Sequence, residues 1–173
     1  KNPFFSSSSM EEEMEMVDSI SEAALQLARE RVGALLVIER ETGLKNFIDT
    51  GSEFDAQVSI ELLRSIFYTQ SPVHDGAAII SNGRVAAAGC FLPLSKSTNL
   101  NKNWGTRHRA ALGLTEETDA IVVLVSEEAG QAHLVRNGEI NENLTLEELK
   151  SSLSILLELT DSAKKAKFRK NKN

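Results

Sequence analysis

A single cysteine, Cys90, gives the chain no internal disulfide, so the fold rests on ordinary core packing and fits a reducing compartment, the cytoplasm. Cys90 lies in the apolar run 85–92 and reads as a small buried hydrophobe. Long hydrophobic runs are missing as well. Residues 34–38 and 120–125 are strand-sized, and nothing approaches the roughly 18 apolar residues of a membrane span. No membrane partner is expected on that ground, although the chain begins at Lys1 rather than methionine and a preceding signal or anchor stays open. Positive charge is in deficit, 19 Lys and Arg against 25 Asp and Glu, which argues against nucleic acid as a general partner. Any phosphate ligand would then need a local cluster of cations. The Gly-x-x-x-x-Gly-Lys-Ser/Thr phosphate cradle and the Gly-x-Gly-x-x-Gly dinucleotide fingerprint are both absent, and so is any cysteine pair for structural zinc. His74, His108 and His133 are too few for a multi-histidine hydrolase centre. What is present, 173 residues of which 41% are apolar, suffices for one closed core.

The pattern along the chain alternates helices and strands. Ser9 before Glu11, Glu12 and Glu13 is a serine cap with acids in the first turn, and Met10, Met14, Val17, Ala24, Leu25 and Ala28 form one apolar stripe on a helix to about Arg31. Gly33 is expected to end that helix. Residues 34–38 are continuously apolar, as in a strand covered on both faces. A loop with Gly43 and Gly51 follows, then an amphipathic helix over 59–68 that Pro72 keeps from continuing. Asn82-Gly83 between two apolar runs predicts a hairpin, and Asn137-Gly138 a second one. Between them lie a helix rich in small residues from near Arg107 and the strand 120–125. Thr145 with Glu148 is a capping box that opens a closing helix to about Leu159. The expected class is α/β, a mixed central sheet flanked by helices. The expected organisation is an N-terminal helical segment over 1–31 as a candidate regulatory element, a domain over 32–160, and a basic disordered tail over 161–173.

Three loops carry more polar chemistry than a connection needs. In His74-Asp75-Gly76-Ala77 the Asp-Gly opens a strand rather than joining two, so a glycine that lets a ligand approach stands beside a carboxylate able to hold a hard cation. In Gly105-Thr106-Arg107-His108-Arg109 two arginines flank a helix start whose free N–H groups attract anions. Arg forks grip phosphate in bidentate fashion, and Thr106 adds a hydroxyl. Ser126-Glu127-Glu128 ends an apolar strand, where ligands collect in open α/β sheets. Each of the three also occurs as an ordinary turn or solvated face.

Taken together, His74-Asp75-Gly76-Ala77, the stretch Gly89-Cys90-Phe91-Leu92-Pro93-Leu94-Ser95, the block Gly105 to Ala111 and Val125-Ser126-Glu127-Glu128 resemble the diadenylate cyclase domain family over roughly 32–140. The resemblance implies condensation of two ATP into cyclic di-AMP, a bacterial second messenger, with release of two pyrophosphates. It implies catalysis at a face shared by two protomers, and so self-association, with a higher homo-oligomer expected. Asp75, with Gly76 and Ala77, is implied beside the ribose and reacting phosphate. Asp75 would support a divalent manganese, magnesium or cobalt ion, with His74 as the second metal-side candidate. The resemblance implies Arg107, His108, Arg109, Thr106 and Gly105 for the triphosphate, Phe91 and Leu92 for adenine, and Ser126 and Glu128 near phosphates and metal. The chain looks like the short soluble type with a helical N-terminal segment, since it shows neither membrane spans nor a long DNA-binding extension. Two rivals remain: a module that senses a nucleotide without chemistry, and a phosphate-ester hydrolase using His74 and Asp75.

Overall fold

The computed structural model describes residues 7–159; the basic tail and the first six residues lie outside them. Helix α1 (Ser7–Arg29) leads into β1 (Ala34–Ile38), followed by a short helix α2 (Lys45–Ile48), strand β2 (Ser52–Gln57) and α3 (Ile60–Phe67). The hairpin of β3 (Ala77–Ser81) and β4 (Arg84–Cys90) precedes α4 (Thr106–Glu117). Strands β5 (Ile121–Ser126), β6 (Gln131–Arg136) and β7 (Glu139–Asn141) and helix α5 (Leu146–Leu156) complete the chain. One seven-stranded sheet runs β2-β4-β3-β1-β5-β6-β7, with β1 and β3 parallel and the other neighbours antiparallel, which is the mixed α/β class the sequence predicts.

Strand β1 is buried at all five positions because it feeds two cores. Leu36 and Ile38 pack with α1, α3 and α5 on one face, whereas Leu35 and Val37 pack with α4 and the α2 region on the other. Both hairpin turns take the backbone their Asn-Gly pairs prefer, with φ of 51° and 76° at Asn82 and Gly83 and 50° and 72° at Asn137 and Gly138. Ser59 caps α3 through the Leu62 N–H at 3.1 Å. The capping box at α5 closes as expected, with Glu148 N–H donating to Thr145 Oγ1 at 3.2 Å and Thr145 N–H donating to Glu148 Oε1 at 3.1 Å.

Three expectations are corrected here. The loop expected around Gly43 and Gly51 contains α2, and the residues after it form the edge strand β2. Five of its six residues are exposed, so no apolar alternation marks it, and pairing with β4 makes it a strand. Helix α1 ends at Arg29 and is turned off before Gly33: Arg31 takes the left-handed conformation at φ 55°, and the Val32 N–H closes onto Leu27 O at 2.9 Å. The buried stripe of α1 is Met16, Val17, Ile20, Ala23, Ala24, Leu27 and Ala28, while Met14 is half-exposed. These residues share one core with Leu36 and Ile38.

Candidate functional site

Four strand ends and one helix start meet at one edge of the sheet. Ala77 pairs with Cys90, so the loop before β3 and the segment after β4 step off the same edge. Leu36 lies beside Ala78 in parallel register and Ala34 opposite Val125, which brings the entry to β1 and the exit of β5 to that edge too. Asp75, Gly33, Phe91 and Ser126 are therefore neighbours in the fold although 93 positions separate the first and last of them in sequence, Gly33 and Ser126.

Gly76 is required where it stands. Its φ is +97°, and a Cβ there would meet Cys90 O at 2.5 Å, because the two strands converge at this point. Beside it Asp75 is exposed, and among the described residues its carboxylate has no ion-pair or hydrogen-bond partner. The His74 ring is partly buried and Nδ1 lies 2.7 Å from Ser71 O. A carbonyl only accepts, so Nδ1 carries the proton in this contact, which leaves Nε2 as the acceptor nitrogen of the neutral ring.

Helix α4 begins at Thr106 behind Gly105, which offers no side-chain cap, so its first N–H groups remain open to an anion. The helix is clamped from outside. A Cβ on Gly113 would overlap Pro93 O and come within 2.6 Å of Pro93 C, so the Pro93-Leu94 backbone crosses directly over the helix. Ser95 N–H donates to Arg109 O at 2.9 Å, and Ser95 Oγ donates to Glu116 Oε1 at 2.5 Å. Small residues in α4 were the visible sign of this packing.

The structure separates the members of the Arg-His-Arg block. Arg107 reaches the sheet edge: its guanidinium lies against Gly33, and Nη1 stands 3.6 Å from Glu127 Oε1. Arg109 is partly exposed, and among the described residues its guanidinium has no partner. His108 points beneath the helix, stacked on Trp104 at 5.8 Å and 7° and tilted against His133 at 5.7 Å. Burial, reinforced by His133, holds its pKa below the ordinary value, so this ring has no charge to offer a phosphate near neutrality.

At the remaining positions Phe91 is 68% exposed and Leu92 partly buried, an apolar surface where the chain leaves β4. Ser126 is buried at the end of β5, and Glu127 and Glu128 stand out into solvent. Arg31 Nη1 donates to Glu128 O at 2.5 Å and ties that loop to the end of α1. Cys90 is buried and its thiol pushed up to about 11 by desolvation, an inert core residue. A surface hollow of about 620 Å³ beside the β3–β4 turn holds none of the expected site residues, and its Lys45–Asp49 and Arg84–Asp55 charges are paired at 2.7 Å each. One contributor escapes the sequence reading, Gly33, which reads there as a helix stop; Glu127, rather than Glu128, is the acid of its loop that stands near Arg107. A glycine that follows a helix already ended by another residue is the signal that would have found Gly33.

The strand entry that carries the unpartnered Asp75 and the open helix start that brings Arg107 against Gly33 belong to the same end of a mixed α/β sheet. Residues 21–140 match the family model described as DAC, DisA bacterial checkpoint controller nucleotide-binding, and the chain belongs to that family. It is 46% identical to the cyclic di-AMP synthase CdaA of Bacillus subtilis (strain 168) over 143 residues, covering 83% of this chain and 52% of the relative. It is 44% identical to a diadenylate cyclase of Listeria monocytogenes serotype 1/2a over 138 residues, covering 80% of this chain and 50% of that relative. The chain thus spans about half the length of these relatives. A crystal structure of a DacA double mutant from Staphylococcus aureus superposes with a TM-score of 0.81 at 41% identity, covering 84% of this chain and 97% of that one. No helix among the described residues is long and apolar enough to cross a membrane.

Proposed function

We propose that the chain is the catalytic domain of a diadenylate cyclase, condensing two ATP into cyclic di-AMP and two pyrophosphates across a pair of facing protomers. The observation that carries this reading is that the unpaired Asp75 opens β3 at the same sheet end where the open start of α4 brings Arg107 against Gly33. Membership of the DAC family and the names of the relatives support it.

Each 3′-hydroxyl attacks the α-phosphorus of the other nucleotide. An O–P bond forms, the bond from that phosphorus to the bridging oxygen breaks, pyrophosphate leaves and the hydroxyl proton is released. Such a transfer depends on positioning and on neutralising charge. Arg107, Arg109, Thr106 and the first N–H groups of α4 bind and orient the triphosphate, with Gly105 leaving room for its approach. Phe91 and Leu92 offer the adenine an apolar surface. Asp75 lies beside the attacking hydroxyl, with Gly76 and Ala77 holding the backbone back to admit the ribose. Ser126 and Glu128 border the phosphates.

Among the described residues no three His, Cys, Asp or Glu side chains cluster as metal ligands. The donor set fits a hard divalent ion that keeps phosphate and water oxygens around one protein carboxylate, Asp75, with His74 as a second side chain in reach. Manganese, magnesium or cobalt bound there would polarise the α-phosphate. One protomer carries a single set of these groups and the reaction needs two, so a symmetric face-to-face pair is the geometry required. ATP supply and the lone reduced cysteine favour the cytoplasm.

Asp75→Asn separates this reading from its rivals. The expected outcome is loss of cyclic di-AMP formation, followed by mass detection, with ATP affinity largely kept. Unchanged turnover contradicts the role of Asp75. Formation of ADP or AMP by the unaltered protein favours a hydrolase, and ATP binding without product favours a sensor.

A further inference from the structure

We infer that Gly33 is a positioning residue: the absence of a side chain there makes the seat on which the Arg107 guanidinium is held for the nucleotide's phosphates. This rests on the proposed reading of Arg107 as a phosphate ligand. The backbone alone does not call for glycine. The left-handed turn that ends α1 is made by Arg31, and Gly33 is not among the glycines with positive φ. What glycine supplies is space. A Cβ at position 33 would lie 2.5 Å from Arg107 Cζ and 2.9 Å from Nε, with Nη1 in overlap, so the three nearest atoms it would strike all belong to one guanidinium.

The rest of Arg107 cannot move to compensate. Its backbone belongs to the first turn of α4, and that helix is fixed by the Pro93-Leu94 crossing at Gly113 and the Ser95 N–H bond to Arg109 O. Only the side chain can swing. Glu127 Oε1 stands 3.6 Å from Nη1, too long for a hydrogen bond, so it attracts the group while leaving its donors available. With the guanidinium laid flat against backbone its rotamer is set before ligand arrives, and less side-chain freedom is lost when a phosphate is gripped. Arg107 is 26% exposed, consistent with a seated group presenting one edge to solvent.

Substitution by alanine tests this without threatening the fold, since the clash falls on the movable end of a side chain and Gly→Ala restricts the unfolded chain. ATP affinity in the presence of magnesium is measured by calorimetry for the unaltered protein, Gly33→Ala, Arg107→Ala and the double variant, with adenosine as the phosphate-free probe and a melting temperature for each. Gly33→Ala is expected to lose about tenfold in ATP affinity, the worth of one charge-assisted contact. Its adenosine affinity and melting temperature should be unchanged or the latter slightly raised, and it should cost nothing further in the Arg107→Ala background. If Arg107→Ala weakens ATP binding and Gly33→Ala does not, the seat is wrong and the reading of the site stands. If Arg107→Ala binds ATP as the unaltered protein does, the reading of the site falls and the seat with it. A parallel loss of adenosine affinity and melting temperature in Gly33→Ala would make position 33 an ordinary packing site and overturn the inference.

Discussion

At Gly113 a single hydrogen in place of a methyl group lets the backbone of Pro93 and Leu94 lie on α4. Here, unlike at position 33, the obstacle is main chain, so Gly113→Ala forces the crossing segment off the helix. A loss of about 2 kcal/mol is expected, at the middle of the usual range for overpacking, and chemical denaturation measures it. The strand-end glycine Gly76 combines positive φ with the same kind of obstacle in Cys90 O, and Gly76→Ala should cost at least as much. At this scale the placement of Asp75 at the entry to β3 and of Arg107 and Arg109 in the first turns of α4 was legible in the sequence, from the Asp-Gly before an apolar run and the small-residue run after the arginines. The partition within the Arg-His-Arg block was not legible. Which of three consecutive helical residues faces the sheet depends on where the helix packs, and only the tertiary partners Trp104 and His133 show that His108 points inward. The partner of Gly33 lies 74 positions away, beyond the reach of any local pattern.

Among the elements, α1 carries the clearest consequence. Its residues from Met16 onward enter the core beneath β1, whereas Met14 is half-exposed and Glu11 and Glu12 are exposed. Deleting residues 1–14 should leave the melting temperature nearly unchanged. Ile20→Ala, at a fully buried position, should cost about 3 kcal/mol, read by denaturant unfolding. Deletion through residue 31 removes that whole face, so a regulatory effect of the segment is readable only from the shorter truncation. Both hairpins, the capped helices α3 and α5 and the central strands were legible because each has a local chemical signature. Strand β2 was not: an exposed edge strand is defined by the neighbour it pairs with, and its own residues carry no alternation.

For the whole molecule, burial depresses the pKa of both His108 and His133 below the ordinary 6.5. Below that value the unfolded chain binds protons that the buried rings refuse, so the folded state loses stability as pH falls from 6.5 toward the lowered folded values. Above it the contribution is fully present. The facing groups act in known directions, with Glu142 opposing the shift in both rings and the Asn143 N–H donating to His133 Nδ1 at 2.9 Å. A melting temperature that declines from about pH 7 to about pH 5, and declines less in a His133→Gln variant, is the expected result. Asp75 is exposed and Arg109 partly exposed, and both are without a partner among the described residues, which leaves them open to a ligand or a second protomer.

The most direct measurement of that arrangement is the initial rate of cyclic di-AMP formation from ATP and manganese, resolved by mass and followed across protein concentration. The product should appear with two pyrophosphates, and activity per molecule should fall steeply on dilution as facing pairs come apart. Cyclic di-AMP made at constant activity per molecule down to the lowest concentration would contradict a shared site, and folded protein that binds ATP yet makes none would contradict the enzyme altogether.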